Sequence, residues 1–179
     1  MRLYLNYLFL LLFFSGFMLT SFRFAEKPKD KPAIKWLTLE EVAILSKEEP
    51  RKIIVDVYTD WCGWCKKMDK STFTDPAIVA YVNKNFYAVK LNAESKKPLN
   101  FNGKTYTFNN KYRAHEAALA LLNGQMSYPS TVYLDEKMAI ISPVPGYLDA
   151  PSFIKILSYF GENHYKTKSF QEYSGTAQK

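Results

Sequence analysis

The sequence predicts an α/β domain, and three observations carry that prediction. A chain of 179 residues with 47% hydrophobic content is long enough for one well-filled core and a leading segment. The run Ile53-Ile54-Val55-Asp56-Val57-Tyr58 is β-branched and too continuously apolar for a strand with one wet face, so it reads as a central parallel strand. Other strand-like runs alternate with capped helical segments along the rest of the chain.

Taken in order, Thr38-Leu39-Glu40-Glu41 has the Ser/Thr-x-x-Glu form of a capping box and opens a short helix that ends before Pro50. The strand Ile53 to Tyr58 follows, then a helical segment after the cysteines. Asp75-Pro76 starts another helix that runs to about Asn83, and Phe86 to Leu91 is the next strand, which gives β-α-β. The segment Glu94 to Asn110 is polar, with Asn102-Gly103 between Phe101 and Tyr106, and suggests a small hairpin. Ala114 to Leu122 reads as a helix closed by Asn123-Gly124, with His115 on its surface. Thr131 to Leu134 and Ala139 to Val144 form a strand pair around Asp135-Glu136-Lys137, and Pro143 and Pro145 confine the second strand to a sheet edge. Pro151 precedes a last helix, Ser152 to Phe160, with Phe153, Ile156, Leu157 and Phe160 on one face.

These elements divide the chain into residues 1–25, a linker over 26–33, a domain over 34–160 and a weakly ordered tail over 161–179. Leu3 to Phe22 carry no charge and follow Arg2, the pattern of an export signal, so an extracytoplasmic, periplasmic location is expected. Neither Ala25 nor Ser21 closes a small-x-small cleavage site, and twenty mostly apolar residues also suffice to cross a bilayer of about 30 Å. A cleaved signal and a membrane tether through residues 3–22 therefore both stand.

Composition excludes several function classes. Seven Gly and nine Pro rule out collagen-like or linker-like chains. The 24 Lys and Arg against 17 Asp and Glu give +7, but no five-residue basic run appears, so the surface is cationic and solvated and no nucleic-acid partner is expected. Two cysteines cannot make a multi-disulfide scaffold, and their closeness points to chemistry.

That chemistry lies in Trp61-Cys62-Gly63-Trp64-Cys65-Lys66. At a helix N-terminus Cys62 faces unsatisfied backbone N–H groups and the positive end of the dipole, both of which favour thiolate over thiol. Cys65, three residues on, shares the helical face and can reach the first sulfur. A purely structural disulfide closing so short a loop would stabilise by only about 2 kcal/mol. Zinc would need two more ligands, and His115 and His164 lack the spacing for it, so neither metal nor cofactor is expected.

The stretch Ile54 to Lys66 resembles the active-site strand and helix of the thioredoxin superfamily. Ser71-Thr72-Phe73-Thr74-Asp75-Pro76 and Gly146-Tyr147-Leu148-Asp149-Ala150 are similar to the C-terminal thioredoxin-like domain of the thiol:disulfide interchange proteins of the DsbD family. The resemblance covers about Trp36 to Phe160 and implies a thioredoxin-like fold, a mixed central sheet flanked by helices, with dithiol–disulfide exchange as the activity. It implies Cys62 as the attacking and Cys65 as the resolving thiol, with Asp56 as a buried acid that helps deprotonate Cys65. A lone carboxylate in a doubly buried strand agrees with that role, because it is destabilising unless paired or functional. Lys90 matches a lysine that pairs with the acid, and Tyr128-Pro129 matches a cis-proline loop that offers backbone groups to an extended substrate.

Two departures stand out. Trp64 occupies the place of thioredoxin's proline, and Glu94 to Asn110 is longer than the usual connection, as a surface hairpin or a partner-docking element. Trp61 and Trp64 either form an apolar rim for partner polypeptides or pack onto the helix. The sequence thus predicts an exported protein-disulfide reductase whose partners are disulfide-bearing client proteins and a membrane-embedded electron donor. A disulfide oxidase or isomerase, and a client-binding module without turnover, are the alternatives.

Overall fold

The computed structural model describes residues 31–101 and 103–175. The expected signal or anchor, most of the linker, hairpin residue 102 and the last four residues of the chain lie outside them.

The first helix forms where its capping box predicts. The Thr38 hydroxyl accepts the Glu41 N–H at 3.2 Å, and the Glu41 carboxylate accepts the Thr38 N–H at 2.7 Å. Two otherwise orphaned donors are thereby satisfied, and helix α1 runs Leu39–Glu48 with Leu39 and Val42 buried. Strand β2, Lys52–Tyr58, is buried over its first six residues. It pairs in parallel with β3 (Phe86–Asn92) and antiparallel with β8 (Ser130–Leu134). The five-stranded sheet has the order β1-β3-β2-β8-β9, so the predicted strand is central and the sheet is mixed. Its outer members are β1 (Trp36–Leu37), which the sequence does not announce, and β9 (Ile140–Pro145).

Side chains of β2 alternate between two cores, one on each face of the sheet. Ile54 joins Met68, Phe73, Ile78, Val82, Phe86, Phe153 and Leu157 beneath helices α3 (Pro76–Asn85) and α5 (Ala150–Gly161). Ile53, Val55 and Val57 join Leu39, Val42, Ala118 and Leu121 beneath α1 and α4 (Glu116–Leu121). Each fully buried Val or Ile here contributes about 1.5–3 kcal/mol over leaving it exposed. The strand ahead of the cysteines is therefore gripped on four sides, by two neighbouring strands and two apolar layers.

The proline-bearing strand β9 lies at the sheet edge, as predicted. The Gly146 N–H bonds Pro129 C=O at 2.8 Å on the β8 side, and alternation along the strand points the N positions of Pro143 and Pro145 outward. In the long connection, β4 (Leu99–Phe101) and β5 (Lys104–Tyr106) form the expected hairpin, and β6 (Phe108–Asn109) pairs with β7 (Ala114–His115).

Three expectations are corrected. The helix predicted over Ala114 to Leu122 starts two residues later because Ala114 and His115 are drawn into β7. His115 is not a surface residue: it is 1% exposed, its Nδ1 accepts the Ala117 N–H, and its Nε2 lies 3.1 Å from Lys97 C=O. Beyond Gly161, where composition suggests a loose tail, there is a 3₁₀ turn at His164–Lys166 and a helix α6, Phe170–Ser174. Tyr165, Phe170 and Tyr173 pack onto the core around Tyr159 and Phe160.

Candidate active site

Strand β2 delivers the chain to a tight turn in which the Cys62 N–H donates to Thr59 C=O at 3.2 Å. Cys62 is the N-cap of helix α2, Gly63–Lys70, and the Cys65 N–H points at its sulfur, 3.0 Å away. The two cysteines are joined as a disulfide with their Cα atoms 5.3 Å apart. Their exposures, 4% and 3%, do not distinguish them. Position does: Cys62 precedes the first turn, where free N–H groups and the helix dipole favour a thiolate, whereas Cys65 lies inside it.

On β2, six residues before Cys62, Asp56 is 1% exposed and stands opposite Lys90 in the parallel register of β2 and β3. Lys90 Nζ donates to Asp56 Oδ2 at 2.8 Å and also to Asp69 Oδ1 on α2. The rings of Tyr58, Trp36 and Phe73 surround the same ammonium at 4.8, 5.1 and 5.5 Å. Burial pushes the Asp56 carboxyl above the usual carboxylate range; the charge and hydrogen bond of Lys90 pull it back only in part, and Asp69 adds repulsion. Burial works to lower the Lys90 value, but Asp56 and Asp69 outweigh it and hold it above that of an ordinary lysine. Among the described residues Asp56 Oδ1 is buried with no hydrogen-bond partner, so one oxygen of a carboxyl with raised proton affinity is unengaged there. This is the group the resemblance nominates as acid–base partner, and the lysine it nominates is in contact with it.

In front of the pair, Trp61 and Trp64 are 66% and 57% exposed, so neither is packed away under the helix. Trp61 meets Tyr128 edge-on at 5.9 Å, and Tyr128 precedes Pro129 across a cis peptide bond. Trp64 tilts against Tyr147 at 5.3 Å, with the Lys67 ammonium 4.7 and 4.9 Å from their ring centres. Two aromatic pairs thus flank the disulfide, one backed by the Lys67 cation and the other by the Glu94 carboxylate, which accepts the Trp61 indole N–H at 3.1 Å.

Three members of this arrangement are absent from the sequence reading. Asp69 sits seven residues after Cys62, two turns along the same helix, and that spacing is the signal for it. Tyr147 lies within the second resemblance segment, Gly146 to Ala150. Glu94 has no local signal, because only the fold brings the start of the long connection to Trp61.

Comparisons with known proteins bear on the family and the fold. The chain is 28% identical over 117 residues to the thiol:disulfide interchange protein DsbD of Haemophilus influenzae (strain PittEE), covering 64% of this chain and 17% of that one. Against DsbD of Vibrio vulnificus (strain CMCP6) it is 40% identical over 42 residues, 24% of this chain and 7% of the other. The chain thus spans a small part, 17% or less, of the length of these two relatives. Among solved structures it is similar to a thioredoxin-fold protein from Helicobacter pylori, with a TM-score of 0.55 at 19% identity, covering 71% of this chain and 80% of that one. The family model of the thioredoxin-like domain matches residues 39–161, from the first residue of α1 to the last of α5 and including both cysteines and the sheet core. The chain belongs to the family of thioredoxin-like domains.

Proposed function

We propose that this protein is an exported thiol:disulfide oxidoreductase that reduces disulfides in extracytoplasmic proteins through Cys62 and Cys65. The observation that carries this reading is the placement of the Cys62–Cys65 disulfide at the N-terminus of α2, a helix whose Asp69 is joined through Lys90 to the buried Asp56 carboxyl. In the reduced protein the Cys62 thiolate attacks one sulfur of a client disulfide. A Cys62–client bond forms, the client S–S bond breaks, and one client thiolate leaves. Cys65 then gives up its proton, for which Asp56 is the acceptor, and attacks Cys62 Sγ. The second client thiolate leaves, two electrons have passed to the client, and the protein is left as the disulfide. Regeneration takes two electrons from another dithiol, which for an exported or tethered domain is a membrane-embedded donor. Trp61, Trp64, Tyr128 and Pro129 form the surface against which an extended client segment lies.

Reduction of insulin disulfides by the full chain tests this. The unmodified protein is expected to turn over, and Cys62→Ser to lose activity completely. Absence of turnover by the unmodified protein would mean that the chain holds clients without exchanging disulfides with them, and equal turnover by the two that Cys62 does not carry the exchange.

A further inference from the structure

The long connection after β3 is tied to the loop that carries the active-site tryptophan. Asn92, the last residue of β3, donates from Nδ2 to Asp60 Oδ2 at 3.0 Å and accepts the Glu94 N–H on Oδ1 at 2.8 Å. Between them the Ala93 N–H bonds Tyr58 C=O at 2.8 Å. Glu94 completes the clasp by accepting Trp61 Nε1–H on Oε2. The base of the connection is itself held, since the His115 N–H donates to Ala93 C=O at 2.6 Å and the His115 ring lies against Lys97 C=O. Glu94 is therefore a side chain on a fixed base.

Trp61 needs such a hold. An indole that is two-thirds exposed has little packing to select its rotamer, and a partner that docks on a loose side chain loses affinity in ordering it. The Glu94 bond and the edge-on contact with Tyr128 fix the ring from two sides. Glu94 also faces Tyr128, whose phenol is pushed above its ordinary value first by burial and then by that carboxylate.

We propose that Glu94 is a positioning residue that presets the Trp61 indole as one wall of the docking surface for polypeptide disulfides. The connection it begins thereby biases exchange toward protein clients over small disulfides. This rests on the exchange activity proposed above. A polypeptide lies across the indole as well as the sulfurs, whereas a small disulfide needs to reach only the sulfurs, so losing the preset ring should weaken protein binding selectively.

The test uses the full chain with Glu94→Ala and Glu94→Gln, the latter keeping an oxygen acceptor for the indole N–H. In ¹⁵N-indole NMR spectra, Glu94→Ala should move and broaden the Trp61 signal and speed its hydrogen exchange, with Trp36 and Trp64 as references; Glu94→Gln should stay close to the parent. With insulin as substrate, Glu94→Ala should raise KM about two- to tenfold, the range of one hydrogen bond, at little change in kcat. KM for oxidised glutathione should be unmoved, and Glu94→Gln should restore the parent value for insulin. The proposal is overturned if the Glu94→Ala indole signal matches the parent, if Glu94→Gln behaves like Glu94→Ala, or if both substrates are affected equally. Absence of turnover by the parent on either disulfide would instead refute the exchange activity and, with it, the client bias; the indole signal then decides whether Glu94 positions Trp61.

Discussion

Replacing Asp56 by Asn keeps the shape of the side chain and removes its charge and its ability to take a proton. If Asp56 receives the Cys65 proton, the step that suffers is release of the mixed disulfide, because Cys62 attacks the client without needing that proton to leave. A positioned general base is worth about 10²–10⁴-fold, so release should slow by at least about 10²-fold while formation changes by less than about threefold. Stability separates this from a structural role. The folded protein holds the Asp56 proton more tightly than the unfolded chain does, since burial raises the carboxyl above its ordinary 3.8. Its stabilising contribution is fully present below the unfolded value and is lost as pH rises through the folded one, so Asn should compare increasingly well with Asp as pH rises across that interval. Against this, Lys90 loses one of its two carboxylates. It keeps Asp69 and three aromatic rings, and its side chain is 24% exposed, so the loss stays well below the 3–5 kcal/mol expected for a stranded buried charge. The net change should lie within about 1 kcal/mol, a Tm shift of about 2–4 °C. Single-turnover reactions quenched with acid, alkylated and weighed by mass spectrometry give both rates, and thermal melts from acid to neutral pH give the rest. Equal slowing of formation and release, or a Tm fall of more than about 10 °C, would refute the reasoning and make Asp56 a structural member of the ion pair.

Three further outcomes are expected. Cys65→Ser should accumulate mixed disulfides with clients through Cys62 while Cys62→Ser does not, and peptide mapping that found trapping through Cys65 would reverse the assigned roles. Cys62 caps a helix N-terminus, which favours its thiolate and so the reduced form; equilibration against glutathione should give about −270 to −220 mV, and a value above about −160 mV would favour an oxidase. Phe170→Ala should destabilise the fold by about 1–2 kcal/mol in urea melts, less than a fully buried Phe, because the ring packs 5.3 Å from Tyr159 yet remains partly exposed; no change would mean that α6 adds nothing to the core.

The strands and helices that position the cysteines were legible because their signals are local. The capping box at Thr38, the Asp-Pro start of α3 and the doubly buried run before Cys62 each announce themselves within a few residues. Asp56 was legible as a charge where none belongs. Its pairing with Lys90 became certain only when β2 and β3 aligned in parallel, 34 positions apart in sequence and directly opposite in register. The misreadings have equally local causes. An alanine-rich run after Arg113 has helical composition from its first residue, but the Ala114 and His115 backbone is claimed by Phe108 and Asn109 across a short ladder. Strand β1 is two half-buried residues with no period to detect. In the tail, Ser169-Phe170-Gln171-Glu172 repeats the very capping pattern that marks α1, and the bonds form here too. Polar neighbours on both sides hid it.

The two prolines of β9 have a consequence for how this protein keeps company. With the N positions of Pro143 and Pro145 turned outward, the outer margin of that strand lacks two of the donors that a foreign strand would need to zip onto it. The opposite margin, β1, is only two residues long. On the function proposed above, the protein meets chains that are not yet fully folded and whose strands are not all paired. With one sheet margin short of donors and the other covered by so short a strand, the exchange proposed above can end in release of the chain instead of the first layer of an aggregate.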